Sequence, residues 1–234
     1  VTKLKTTAPE TNATSPKKAL FEQFARLAKA MASANRLELL EMLAQGEHSV
    51  ESLAQASGMS LANTSHHLQV LREGGLVEPR KEGVQVFYRL KDEAIPALLT
   101  TMGEIAERQL AEVERIVRKH FSSKDGLTPV RRKDLIKQVR SGVVMVIDVR
   151  PESEYESGHI KDAINIPLEE LSKRLTELPK EQEIVAYCRG PYCMLAYEAV
   201  KQLRKRGYRS RRLEGGFPEW KAEHYPTTKG DGTE

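Results

Sequence analysis

Two cysteines, Cys188 and Cys193, are the only thiols in the 234 residues, and both fall within Ile184-Val185-Ala186-Tyr187-Cys188-Arg189-Gly190-Pro191-Tyr192-Cys193-Met194. The apolar run before Cys188 reads as a buried strand, and a helical spacing (Leu195, Ala199, Val200, Leu203) begins just beyond Cys193. A cysteine that closes a strand and turns into a helix sits where unpaired backbone N–H groups and a positive helix end converge. That setting lowers a thiol pKa and holds an anion. It is also the sheet rim where open α/β folds place ligands. The chemistry on offer is nucleophilic: Cys188 as an ionised thiol, with Arg189, Gly190, Pro191, Tyr192 and Cys193 forming the loop around it. The bland alternative is an inert buried cysteine. Arg189 is either a cation beside the sulfur or the partner of a carboxylate. Pro191 has no N–H and removes one donor from the cradle. Cys193 is either a small filler at the helix start or a resolving thiol that captures a modified Cys188, giving a disulfide or a sulfur-bridged loop.

The elements that must hold this loop alternate. A helix runs through Leu135, Ile136 and Val139, and a strand over 143–149 leads into Asp148-Val149-Arg150-Pro151. A short helix (152–157), a small strand (164–166), a helix (168–178), the central strand (183–188), a helix to Arg206 and a last strand (210–213) follow. That order predicts an α/β domain over 128–226, a parallel sheet with helices on both faces, ending in a flexible tail at 227–234.

The first half has a different grain. Residues 1–16, rich in Thr, Ala, Pro and Lys, are expected to be disordered. Helical spacing begins at Lys17 (Leu20, Phe21, Phe24, Leu27, Met31), and a second helix carries Leu37, Leu40 and Leu43 up to Gly46. Ser49 caps a third, over 50–56. The Gly58-Met59-Ser60 turn and a helix over 61–73 complete a helix-turn-helix. Leu61, Leu68 and Leu71 are expected in the core. Asn63, Thr64, Ser65, His66, Gln69 and Arg72 are left outside as an inventory for base edges and phosphates. A hairpin over 76–90 turns at Glu82-Gly83; Arg80, Lys81, Gln85 and Arg89 make it a basic wing suited to phosphate contact. A single long amphipathic helix over 92–121 exceeds what so small a core can cover. With the first helix it is expected to form a homodimer interface. The domain thus spans 17–121, and Ser122-Ser123-Lys124-Asp125-Gly126 opens a linker over 122–127.

Composition narrows the setting. The formal charge of +4 is compatible with double-stranded DNA without requiring it. No apolar run approaches the length of a membrane span and no signal-peptide core is present; with two thiols confined to one loop, a cytoplasmic location without membrane contact is expected.

Residues 18–120 resemble the ArsR-type winged-helix repressors through Arg36-Leu37-Glu38-Leu39-Leu40 and Ser65-His66-His67-Leu68-Gln69-Val70-Leu71-Arg72-Glu73-Gly74-Gly75-Leu76-Val77. The resemblance implies a homodimer on a palindromic operator, released by an inducer. Metal-sensing members carry cysteines in the helix before the turn; residues 50–56 have none, Glu104, Glu107 and His120 are spread singly, and no metal or other cofactor is expected. Residues 127–225 resemble a rhodanese domain through Asp148-Val149-Arg150-Pro151, Glu154-Tyr155-Glu156-Ser157-Gly158-His159-Ile160, Ala163-Ile164-Asn165-Ile166-Pro167, Tyr187-Cys188-Arg189 and Leu213-Glu214-Gly215-Gly216-Phe217-Pro218-Glu219-Trp220. That implies a persulfide-carrying Cys188, braced by Asp148 and Arg150, fed by a small donor such as thiosulfate, polysulfide or a persulfide. Related phosphatases place an arginine six positions after the cysteine, where this chain has Met194, so the six-residue loop fits sulfur rather than phosphoryl transfer. Two functions are in contention. One is a repressor whose rhodanese domain receives or senses reactive sulfur; the other is a sulfurtransferase using the winged helix for dimerisation or targeting.

Overall fold

The computed structural model describes residues 15–121 and 128–230. The expected linker at 122–127 and most of both expected tails lie outside those residues. The amino-terminal half contains α1 (Pro16–Met31), α2 (Ala34–Leu43), β1 (His48–Ser49), α3 (Val50–Ser57), α4 (Leu61–Glu73), the hairpin β2 (Val77–Glu82) and β3 (Gln85–Leu90), α5 (Ile95–Gln109) and α6 (Ala111–His120). The carboxy-terminal half contains α7 (Arg132–Arg140), β4 (Val144–Asp148), α8 (Glu152–Ser157), β5 (His159–Ile160), β6 (Ile164–Asn165), α9 (Leu168–Leu171), β7 (Glu183–Tyr187), α10 (Met194–Lys205), β8 (Ser210–Arg212), α11 (Phe217–Ala222) and β9 (Thr227–Thr228).

Serine caps start three of the first four helices. The hydroxyls of Ser15, Ser49 and Ser60 accept the N–H groups of Lys18, Ser52 and Asn63, each satisfying a donor that has no partner inside its helix. Pro16 is the first residue of α1, so the helix begins one residue earlier than expected, inside the segment read as a tail. Gly58, at φ +69°, makes the turn between α3 and α4. Leu39, Leu40, Leu43, Leu53, Leu68, Leu71 and Leu76 fill the core these helices enclose, and the three-stranded sheet β1-β3-β2 closes it through Tyr88. Leu61 departs from the expected pattern and lies half exposed in the first turn of α4. Thr64 departs the other way. It is buried, with Oγ1 donating to the Ser60 carbonyl 3.1 Å away, so its hydroxyl turns back onto its own helix and not outward.

The helix expected over 92–121 is two helices. Leu110 leaves the helical region (φ −112°, ψ 103°) between α5 and α6, although no proline or glycine marks the place. Tertiary anchors account for the break. The Phe121 ring at the end of α6 packs edge-on against Tyr192 and Tyr197, whose hydroxyl donates to the Phe121 carbonyl. Along α5, Thr100 donates to Glu219, 3.0 Å away, and Gly103 lies against the Tyr192 ring. Leu98, Met102, Ile105, Leu110 and Ile116 nevertheless remain exposed, as do Leu20, Phe21 and Phe24 of α1.

In the second half, β6-β4-β7-β8 form a parallel sheet with β7 in the middle. Strand alternation sorts β7 between two layers. Ile184, Ala186 and Cys188 face the layer of α9 and α10; Val185 and Tyr187 face that of α7 and α11. The helix expected over 168–178 is shorter, with α9 ending at Leu171 and a single 3-10 turn over Leu175–Glu177. The expected tail is not free from its start, because Thr227–Thr228 pair antiparallel with His159–Ile160.

Phe121→Ala removes two edge-on ring contacts worth about 0.5–1.5 kcal/mol each beyond area burial. Amide hydrogen exchange should then accelerate across α6 while amides of β4 and β7 keep their protection.

Candidate functional site

The loop between β7 and α10 is seated on backbone. A side chain at Gly216 would place its Cβ 2.4 Å from the Gly190 nitrogen and 2.5 Å from the Cys188 carbonyl oxygen, so only glycine lets the two segments meet. Phe217 N–H donates to that same carbonyl (3.0 Å), and Glu219 accepts the Gly216 N–H (2.8 Å). The 213–220 motif therefore forms the floor of the loop.

Cys188 is 1% exposed. Its Sγ lies 3.8 Å from the Gly190 carbonyl and 3.6 Å from the Cys193 carbonyl, and backbone N–H groups of Gly190 and Ala196 also face it. Burial nevertheless pushes the Cys188 thiol up, reinforced by the hydrogen bond and the charge it shares with Cys193. Cys193 moves the other way, lowered to about 7, chiefly by the hydrogen bond from Cys188, with backbone donors and Arg189 adding to it. Burial thus works against the expected ionised Cys188 in this arrangement, while the shared hydrogen bond favours thiolate at the less buried Cys193.

Arg189 combines its two readings: it is the partner of a carboxylate and a cation near Cys193. Its Nε and Nη2 hold Glu154, with Nη2 to Oε1 at 2.5 Å, and Glu154 is itself buried. Glu154 stood in the rhodanese motif but carried no expected role. Tyr192 donates to Glu107 of α5 (3.2 Å), and burial beside that carboxylate pushes its hydroxyl up to about 12. Pro191 and Gly190 complete the turn, with Glu41 of α2 close to the Gly190 α-carbon. Asp148 and Arg150 form a fully buried ion pair at the end of β4 (Nη2 to Oδ2, 2.6 Å). Their other side-chain partners are the Gly158 carbonyl, Gln45 and Tyr187, not Cys188, so their bracing acts on the strand end and on the other half of the chain. Gln45 carried no signal in the sequence: a lone glutamine after a helix has no motif.

A cleft of about 520 Å³ opens between the halves, lined by Met42, His48, Gln55, Glu154, Arg189 and Leu195 among others. The Nε2 of His48 is buried without a hydrogen-bond partner, and burial lowers the pKa of its ring. Among the described residues no group of three His, Cys, Asp or Glu side chains is placed to hold a metal, and no helix is long and apolar enough to cross a membrane.

On α4, Asn63, Ser65, His66, Gln69 and Arg72 are exposed, Gln69 also donating to Glu73 at 3.2 Å. Thr64 is withdrawn from that face by its burial. The wing is less basic than its composition. Arg80 is held by Glu47 (2.6 Å) and Glu82 (2.7 Å), and Arg89 by Glu78 (2.5 Å), while Lys81 and Gln85 are exposed.

Comparison with known proteins matches both halves. Residues 33–78 match the family described as bacterial regulatory protein, arsR family, and residues 131–223 the rhodanese-like domain. The HTH-type transcriptional regulator Rv0324 of Mycobacterium tuberculosis is 43% identical over 215 residues, 92% of this chain and 94% of that protein. A sulfurtransferase of Allochromatium vinosum is 32% identical over 90 residues, 38% of this chain and 82% of its own. A solved homodimeric winged helix-turn-helix domain from Mycobacterium bovis is 40% identical, covering 45% of this chain and 95% of its own, with a TM-score of 0.39.

The thiol assignment predicts a pH profile. Because thiolate is the reactive form and grows as pH rises through the pKa, iodoacetamide should modify Cys193 with a midpoint near 7, and Cys188 only at higher pH. Peptide mass spectrometry across a pH series reads both sites; equal profiles would contradict the assignment.

Proposed function

Because the chain belongs to the ArsR-type helix-turn-helix transcriptional regulators that carry a rhodanese domain, we propose that it binds operator DNA as a homodimer and takes sulfane sulfur on Cys188 as its regulatory input. The observation that carries this reading is the joining of two intact surfaces in one chain. An exposed polar face on α4 and a thiol loop of rhodanese length lie on halves that touch at the loop itself. Dimerisation is supported by the apolar residues left uncovered on α1, α5 and α6.

The chemistry uses both thiols. The Cys193 thiolate, bonded to the Cys188 S–H, accepts that proton as a donor approaches. Cys188 sulfur attacks the outer sulfur of the donor; the donor's S–S bond breaks and its electron pair leaves on the expelled fragment, sulfite in the case of thiosulfate. Cys188 then carries a persulfide. If Cys193 resolves it, its sulfur attacks the inner sulfur of Cys188, HS⁻ departs, and a disulfide closes the loop. Arg189, fixed by Glu154, supplies positive charge beside the loop.

Treatment of the protein with thiosulfate or sodium tetrasulfide should leave the peptide holding Cys188 and Cys193 with either added sulfur or a Cys188–Cys193 disulfide. Cys188→Ser should abolish the addition, whereas Cys193→Ser should retain the first step and accumulate the open persulfide. Gel shifts should show operator affinity changing with loading; identical affinity for reduced, loaded and Cys188→Ser protein would leave a sulfurtransferase on a DNA-binding platform.

DNA affinity should fall with salt. Lys81→Ala should weaken all sequences alike and reduce the salt slope by about 1. His66→Ala or Gln69→Ala should relax sequence preference by about 1–3 kcal/mol per lost base contact. Arg80→Ala should change the slope less than Lys81→Ala, because Arg80 is already paired with two carboxylates.

A further inference from the structure

We propose that Gln45, a residue of the winged-helix half, is a positioning residue of the sulfur loop and the contact through which the loading of that loop reaches α4. The inference rests on the sulfur-accepting reading above. Gln45 follows α2 and is 2% exposed. Its amide is engaged on both sides. Nε2 donates to the Glu41 carbonyl (3.1 Å) at the end of its own helix and to the Arg189 carbonyl (3.3 Å) in the loop, and Oε1 accepts from Arg150 Nη1 (3.1 Å). The next residue, Gly46, meets the other half without room to spare, since a Cβ there would lie 2.7 Å from the Cβ of Ser157. The elbow at 45–46 is thus fitted to both the loop and α8.

Loading the loop disturbs this fit. Cys188 Sγ is enclosed, with the Gly190 and Cys193 carbonyls at 3.8 and 3.6 Å. An added sulfur sits about 2.05 Å from it, inside that enclosure, so the loop backbone must give way. The Arg189–Gly190 peptide adjoins Cys188 and carries the carbonyl that Gln45 holds. Displacing it deprives a buried amide donor of one acceptor, which favours movement of the elbow to recover a partner. The elbow is continuous with α2, whose Leu39, Leu40 and Leu43 pack in one core with Leu68 and Leu71 of α4. A shift at 45–46 is therefore passed by contact to the face proposed to read DNA.

The test uses the full-length protein. Gln45→Glu keeps an acceptor for Arg150 but loses the donor to the Arg189 carbonyl; Gln45→Leu loses both, and circular dichroism checks that each folds. In the reduced proteins, modification of Cys188 by iodoacetamide should be about tenfold faster for Gln45→Glu than for wild type, and the pH midpoint of Cys193 should move. Hydrogen exchange over residues 41–48 and 61–73 should quicken when the wild type is treated with sodium tetrasulfide. In Gln45→Glu, exchange over 41–48 should be fast beforehand and exchange over 61–73 should ignore loading. Thiol reactivity within about twofold of wild type, together with an unchanged loading response, would overturn the role of Gln45. If tetrasulfide leaves wild type with neither added sulfur on Cys188 nor a Cys188–Cys193 disulfide, the sulfur reading itself fails, while the iodoacetamide comparison still decides whether Gln45 positions the loop.

Discussion

The buried pair of Asp148 and Arg150 is the constraint on which both halves depend. Removing two charges from water costs several kcal/mol per ion, so the pair survives only where every polar atom is answered. Asp148 takes the Nε, Nη2 and backbone N–H of Arg150; the Gly158 carbonyl takes a second bond from Nη2, and Gln45 takes Nη1. Phe217 lies against the guanidinium, 4.5 Å from ring centre to carbon. The end of β4, the turn after α8, the start of α11 and the elbow after α2 are therefore held at one point. One of those acceptors belongs to the winged-helix half. The juxtaposition of the halves is part of what satisfies a charge buried in the rhodanese half, and separating them would leave Nη1 without that partner.

The same closeness explains the thiol chemistry. A loop at the start of a helix offers donors that favour thiolate, but a sulfur sealed from water loses more by desolvation than those donors return. Cys188 is the sealed one, enclosed over the Gly216 floor, and Cys193 stands nearer the surface at the cap of α10. Burial raises the deeper thiol, and the hydrogen bond between the two lowers the shallower one.

Ion pairing reshapes the surface of the wing in a similar way. Arg80 and Arg89 are basic in composition, yet each is met by glutamate across or along the hairpin. Lys81 and the α4 residues are left as the exposed polar inventory.

The sequence by itself determined what repeats locally: the Ser49 cap, the leucine spacing of α2 and α4, the apolar run of β7 and the turn from Cys188 into α10. Each follows from a period or a neighbouring donor, which a linear chain displays. Motif order also sufficed to separate the two domains and to single out the six-residue loop. Tertiary structure decided the rest, because partners distant in the chain had to arrive first. Thr64 is buried and Leu61 half exposed because of how α4 lies in the fold, which helical spacing alone does not show. The helix at Leu110 breaks because Phe121 is drawn onto Tyr192 and Tyr197, 71 and 76 residues away from it in sequence. Gln45 and Glu154 acquire roles only through Arg189 and Arg150, contacts that no spacing announces. The opposite shifts of the two thiols were likewise undecidable from the loop alone: donors are local and legible, whereas burial is a property of everything packed above them.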